Sequence, residues 1–189
     1  MKFLILAFPF FLVFSCSENP GAINAKEIAQ NVIIVDSHID VPFRLWNQHL
    51  EGLEIDDISG STEGDFDFIR ARKGGLNVPF FSIYLPASTQ NEGVSHKMAN
   101  ELIDLVEDIV TLHSDKFFLI KSTQDINKLK SRDVVGIALG MENGAPIEGD
   151  LLRVQYYFDR GIRYITLTHS KTNHISDSSY DDNIQWQGL

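Results

Sequence analysis

Short apolar segments alternate with helix-like segments along most of this chain. The segments predicted to be strands are almost continuously apolar: Val32–Val35, Val78–Leu85, Phe117–Ile120, Val134–Leu139 and Arg163–Thr168. Strands of this composition are buried on both faces, as in a parallel sheet with helices packed against it. The order of the elements therefore predicts an α/β fold built on a parallel sheet.

Capping residues and glycines mark the helices between these strands. The predicted helices are Asn24–Gln30, Asp65–Arg72 ending at Gly74 and Gly75, a helix capped by Ser95, Ser122–Lys130, and Asp150–Arg160 ending at Gly161. A long loop is expected after the first strand. Residues 51–67 hold seven acidic side chains and no basic one, which predicts a solvated surface loop.

Polar side chains with metal-binding chemistry follow three of the predicted strands. His38 and Asp40 lie in D-S-H-I-D, Glu142 in the glycine-flanked turn G-M-E-N-G, and His169 in L-T-H-S. Taken singly, the carboxylates could cap a helix or turn, and His169 could be a hydrogen-bonded core histidine. Together they lie at the carboxyl ends of parallel strands, where α/β barrels build their active sites, and histidine and carboxylate are zinc ligands. The sequence therefore predicts a metal site at this edge.

The first residues have the pattern of a secretory signal. Lys2 precedes an apolar run from Phe3 to Phe14, which ends in V-F-S-C. The run is too short to span a bilayer, and its ending resembles a bacterial lipobox. We expect residues 1–16 to be a lipoprotein signal with Cys16 as the lipidated residue, and residues 17–23 to tether the protein to the bacterial cell envelope, facing the periplasm or the outer membrane.

Charge and length limit the possible partners and the domain size. The formal net charge of −10 argues against nucleic acid as a partner. Residues 24–189 are enough for one ordinary domain, but a complete (β/α)8 barrel typically needs about 250 residues. We therefore expect these residues to form the N-terminal half of a barrel domain, truncated at residue 189.

Five motifs together resemble the membrane dipeptidase (renal dipeptidase) family of zinc peptidases. They are D-S-H-I-D-V-P, R-A-R-K-G-G, V-P-F-F-S-I-Y-L-P, G-M-E-N-G and G-I-R-Y-I-T-L-T-H-S, in the family's order and spacing. The resemblance implies the N-terminal part of a TIM-type barrel with two zinc ions per complete site. His38 and Asp40 would bind the first zinc, Glu142 would bridge to the second, and His169 would stabilise the transition state. It also implies hydrolysis of dipeptides by a metal-bridged hydroxide, and a possible homodimer of the complete enzyme.

The sequence also departs from that family. The two later histidines that complete the family's second zinc site have no counterpart in residues 1–189, and His174 is interpreted as an ordinary loop residue. We therefore expect this length of chain to be inactive alone. Two alternatives stay open: an amidohydrolase acting on cyclic amides or lactams, and a lipoprotein that binds peptides without catalysis.

Overall fold

The structure is a computed structural model that describes residues 24–130 and 133–186. Its strands are β1 (Ile34–Ile39), β2 (Leu76–Tyr84), β3 (Phe117–Leu119), β4 (Val135–Glu142) and β5 (Ile162–Thr166). Its helices are α1 (Ala25–Asn31), α2 (Val41–Leu50), α3 (Phe68–Gly74), α4 (Ser88–Glu92), α5 (Ser95–Leu112) and α6 (Leu152–Arg160), with 3₁₀ helices at Thr123–Lys130 and Ala145–Ile147. The predicted signal, Cys16 and the tether lie outside the described residues. Among the residues described, no helix has both the length and the apolar character of a membrane span.

All the strands pair in parallel, as the sequence predicted. β1 pairs with β2, β2 with β4, and β4 with both β3 and β5. The carboxyl ends of the strands therefore meet at one edge of the sheet. Within the described residues, β1 and β5 are each paired along one side only.

The two faces of the sheet have different neighbours. Phe81, Ile83, Leu139 and Met141 alternate along β2 and β4 and belong to the main hydrophobic core, which also contains the buried face of α5. The intervening positions of the same strands lie on the opposite face, where Ala138 belongs to a second, smaller core cluster. Toward the carboxyl ends, this second face carries polar side chains, because side chains alternate between faces with a period of two residues.

Helix α2 occupies part of the region where a long loop was expected. Pro42 lies in its first turn, where a missing amide hydrogen has no cost, and Val41 and Leu45 are buried in the main core. Burial of this apolar face against β2 and α5 stabilises the helix, which capping signals alone did not reveal.

Other boundaries also differ from the prediction. β1 begins later than expected and extends through His38, because Asp36 and Ile39 pair with β2. Glu142 is the last residue of β4 and does not lie in a turn. Ser95 does not cap α5: its buried hydroxyl is hydrogen-bonded to Thr89 instead (2.8 Å). Likewise α6 begins only at Leu152, although the Asp150 carboxylate does accept a hydrogen bond from that residue's amide.

The acidic segment 51–67 is only partly solvated. Asp67 is fully buried and is the N-cap of α3, where it accepts hydrogen bonds from the Arg70 amide (2.7 Å), the Arg70 Nε (2.6 Å) and the Thr62 amide (3.3 Å). Burial raises the pKa of Asp67, but these hydrogen bonds lower it by more, so that the net pKa lies below the usual value. The prediction of a solvated surface loop holds for most of the acidic residues but not for Asp67, because it counted charges and not their hydrogen-bond donors.

Replacing Asp67 with Asn should destabilise the protein at neutral pH by about 1.5–3 kcal/mol, the range for hydrogen bonds to a charged group. Because the folded-state pKa is depressed, this stabilisation is complete above the usual pKa of 3.8 and is lost as the pH falls through the folded-state pKa. Urea unfolding of both proteins at several pH values measures the difference. The exposed Asp65→Asn is the matched control and should change stability by less than about 0.5 kcal/mol. This role would be contradicted if Asp67→Asn unfolded with the same free energy as the wild-type protein at neutral pH, or if its loss of stability were as large in acid as at neutral pH.

Candidate metal centre

Three side chains with metal-binding atoms converge at the carboxyl edge of the sheet. His38 Nε2 lies 3.1 Å from Glu142 Oε2 and 3.3 Å from Asp40 Oδ1. The candidate ligand atoms of all three residues lie within 4.8 Å of one another. One imidazole nitrogen and two carboxylates form a donor set suited to zinc, so the structure brings together the three residues that the sequence predicted.

Each of these residues is positioned by a different element of the secondary structure. His38 is near the end of β1, and Glu142 ends β4. Asp40 occupies the N-cap position of α2, but its side chain makes no capping hydrogen bond. It approaches His38 instead, so the alternative interpretation of Asp40 as a helix cap is not supported.

The surroundings of Glu142 fit a bound cation. Its side chain is 15% exposed, and Oε2 accepts a hydrogen bond from the buried Ser82 hydroxyl (2.9 Å). In residues 24–130 and 133–186, no lysine or arginine forms an ion pair with Glu142 or Asp40. A largely buried carboxylate without a cationic partner is costly. A divalent ion held by these residues would remove that cost.

His169 is placed on the other oxygen of Glu142. It follows β5 by three residues, and its Nε2 lies 3.2 Å from Glu142 Oε1. Its ring meets the Tyr84 ring edge-on at 5.0 Å, while its Nδ1 is buried and makes no hydrogen bond with the described residues. The Nε2 side of the ring therefore faces the carboxylate and the space around it.

Two buried asparagines hold the loop that carries His169. Asn143 has a positive φ of 80°, and its side chain donates to the Leu85 carbonyl (3.0 Å). Asn173 donates to the Asn143 Oδ1 (3.0 Å) and to the Leu167 carbonyl (2.7 Å). Asparagine is one of the few side chains that tolerate this left-handed conformation. This network links the ends of β2, β4 and β5 directly behind the metal-binding residues.

Two tyrosines border the site. Burial raises the pKa of Tyr84 and of Tyr164, and the negative charges of Glu142 and Asp40 raise both pKa values further. Both phenols therefore stay protonated and can act as hydrogen-bond donors.

Sequence reasoning missed Ser82, Tyr84 and Tyr164. A signal was present, because Ser82 and Tyr84 are two residues apart in the mostly apolar strand β2 and so share one face, which the pairing with β4 makes the face of Glu142. His174 is not part of the donor cluster. Burial lowers the pKa of His174, and it lies in the loop after β5, as the sequence predicted.

The fold and the site together define a class: α/β proteins that bind metal at the carboxyl ends of a parallel sheet. The chain belongs to the membrane dipeptidase family, peptidase family M19, whose model matches residues 23–189. Among curated relatives, it is 26% identical to dipeptidase ataJ of Aspergillus terreus over 87% of this chain and 42% of that protein. It is also 26% identical to dipeptidase 3 of Rattus norvegicus, over 82% of this chain and 31% of that protein. The chain thus spans less than half the length of these relatives.

Two solved structures, of a probable dipeptidase and of a metallopeptidase, have a similar fold. The probable dipeptidase PvdM of Pseudomonas aeruginosa matches 82% of this chain and 39% of its own, with a TM-score of 0.67 and 21% identity. A metallopeptidase of Rhodobacter sphaeroides, solved with a phosphinate mimic of the dipeptide L-Ala-D-Ala, matches 75% of this chain and 46% of its own, with a TM-score of 0.63 and 16% identity. The described sheet is therefore part of the TIM-type barrel of these metal hydrolases, as expected.

Ser82→Ala should weaken metal binding at this site in the full-length protein about 10- to 100-fold, with zinc as the probe, because the Ser82 hydroxyl orients Glu142 Oε2. A competition titration against a chromogenic chelator measures the affinity. Ser95→Ala is the matched control, since it also deletes a buried serine hydroxyl but one bonded to Thr89. Equal zinc affinity in the two variants would show that Ser82 only fills space.

Proposed function

We propose that the protein to which this chain belongs is a zinc-dependent dipeptidase. The observation that carries the proposal is the convergence of His38, Asp40 and Glu142 within 4.8 Å. Family membership supports hydrolysis of a peptide bond as the reaction. In that reaction, bound zinc would lower the pKa of a water molecule and polarise the scissile carbonyl.

The geometry of Glu142 favours two ions. Its two carboxylate oxygens have separate neighbours, because Oε2 faces His38 and Oε1 faces His169. A carboxylate in this position can bind one ion through each oxygen. His38 and Asp40 would then hold the first ion, and ligands for the second would come from outside the described residues.

His169 is proposed to stabilise the negative charge that develops on the substrate carbonyl oxygen. Its side chain is 36% exposed and its Nε2 lies beside Glu142, so a substrate bound at the metal could reach it. A single donor of this kind commonly contributes about 2.7–4 kcal/mol to the transition state.

The proposed substrate is a dipeptide, with tolerance of a D-residue at the carboxyl-terminal position. Support comes from the Rhodobacter sphaeroides relative, which was solved with a mimic of L-Ala-D-Ala. Asp40 in the H-x-D motif favours this reaction over the amidohydrolase alternative, in which H-x-H is common.

We also propose that residues 17–189 alone do not catalyse the reaction. They provide three ligands to the first ion, counting Glu142, but only the shared Glu142 carboxylate to the second, whereas a catalytic zinc needs about three protein ligands and an open position. The single-sided pairing of β1 and β5 also leaves strand edges that further barrel strands would cover.

Glu142→Gln should preserve the fold of the full-length protein but abolish most zinc binding and dipeptide hydrolysis, because an amide lacks the negative charge that two cations require. Zinc content and hydrolysis of L-Ala-D-Ala are the measurements. Glu101→Gln makes the same change on the surface of α5 and should leave both unchanged. If Glu142→Gln keeps normal zinc content and turnover, the site is not catalytic. If the unmodified protein binds zinc and dipeptides without turnover, it is a peptide-binding protein.

We further propose a lipid anchor at Cys16 and a location in the bacterial cell envelope. The full-length protein should then incorporate radiolabelled palmitate and sediment with membranes, because the V-F-S-C ending directs acylation of the cysteine. Cys16→Ala should do neither. Equal labelling of the two proteins would rule out the anchor.

A further inference from the structure

Tyr164 reaches across the sheet from β5 to β1. Its ring packs against Phe80 of β2 at 5.5 Å, and its hydroxyl lies against the backbone and side chain at the end of β1. The ring also passes directly over Gly140 of β4. A Cβ atom at position 140 would lie 2.0 Å from Tyr164 Cζ, so only glycine leaves this path open.

The two partners of the Tyr164 hydroxyl determine which group donates the proton in each hydrogen bond. The hydroxyl has one proton, which it donates to the Ser37 carbonyl (3.0 Å). A backbone carbonyl can only accept, so the remaining interaction of the hydroxyl, with His38 Nδ1 at 3.1 Å, requires the proton to come from the histidine. This arrangement makes His38 Nδ1 the donor to Tyr164 and leaves Nε2 facing Asp40 and Glu142, toward the position of a bound ion.

We propose that Tyr164 is a positioning residue that fixes His38 in the form with a protonated Nδ1 and directs its Nε2 lone pair to the metal. The inference rests on the proposed zinc site. It adds a chain of two hydrogen bonds, from His38 to Tyr164 and from Tyr164 to the Ser37 carbonyl, that orients the ring before an ion binds. Partners of this kind commonly change metal affinity 10- to 100-fold.

The direct test is NMR of the full-length protein labelled with ¹⁵N-histidine. The His38 signals are assigned by their loss in His38→Gln. The metal-free and zinc-loaded forms should both show a proton on Nδ1 that exchanges slowly with water. Tyr164→Phe keeps the ring over Gly140 but removes the hydroxyl. It should lose this protected signal and bind zinc about 10- to 100-fold more weakly in a chelator competition.

Tyr157→Phe is the matched control. It deletes another tyrosine hydroxyl bonded to a histidine Nδ1, that of His96 at 2.7 Å, outside the metal centre. It should leave the His38 signal and the zinc affinity unchanged.

The proposal is overturned if Nδ1 of His38 in the wild-type protein carries no proton, a measurement that needs no folded variant. It is also overturned if Tyr164→Phe retains either the protected signal or the wild-type zinc affinity. Failure of the proposed function is recognised separately, because a wild-type protein that binds no zinc would still report the proton on His38.

Discussion

The parallel register of β2 and β4 is the constraint on which the site depends. It pairs Ser82 with Gly140 and Tyr84 with Glu142, so that these four side-chain positions share one face of the sheet. A shift of one residue would move Glu142 to the opposite face, into the main hydrophobic core. The apolar residues that alternate with these positions set the register, since Phe81, Ile83, Leu139 and Met141 must face the helices.

The negative charge of Glu142 explains why the second face of the sheet carries polar side chains although their burial costs stability. Glu142 is mostly buried, and among the described residues its nearest basic groups are the histidines His38 and His169, with no lysine or arginine paired to it. Burial of a carboxylate without a permanently charged partner is unfavourable. The Ser82 hydroxyl and the His38 and His169 nitrogens reduce the cost but do not neutralise the charge. A cation held by these residues would offset that cost, so the same buried carboxylate both lowers stability and favours metal binding.

The sequence predicted the elements whose signals are local. Gly75 and Gly161 end α3 and α6 in the left-handed conformation, as their positions in the sequence indicated, and the apolar strands pair in parallel. His38, Asp40, Glu142 and His169 were also identified in advance, partly from their places at strand ends and partly from the family resemblance.

Helix α2 was missed because its stability comes from tertiary burial. Tyr164 was missed because its role depends on a contact with His38 from a strand 126 residues further along the chain. Local patterns do not encode such contacts.

We propose above all that His38, Asp40 and Glu142 hold a zinc ion. Anomalous diffraction at the zinc absorption edge, from crystals of the full-length protein grown with zinc, tests it most directly. The account predicts an anomalous peak about 2.0–2.2 Å from His38 Nε2 and from an oxygen of Asp40 and of Glu142. Zinc bound elsewhere, or coordinated through His38 Nδ1 with these carboxylates unliganded, would contradict the account.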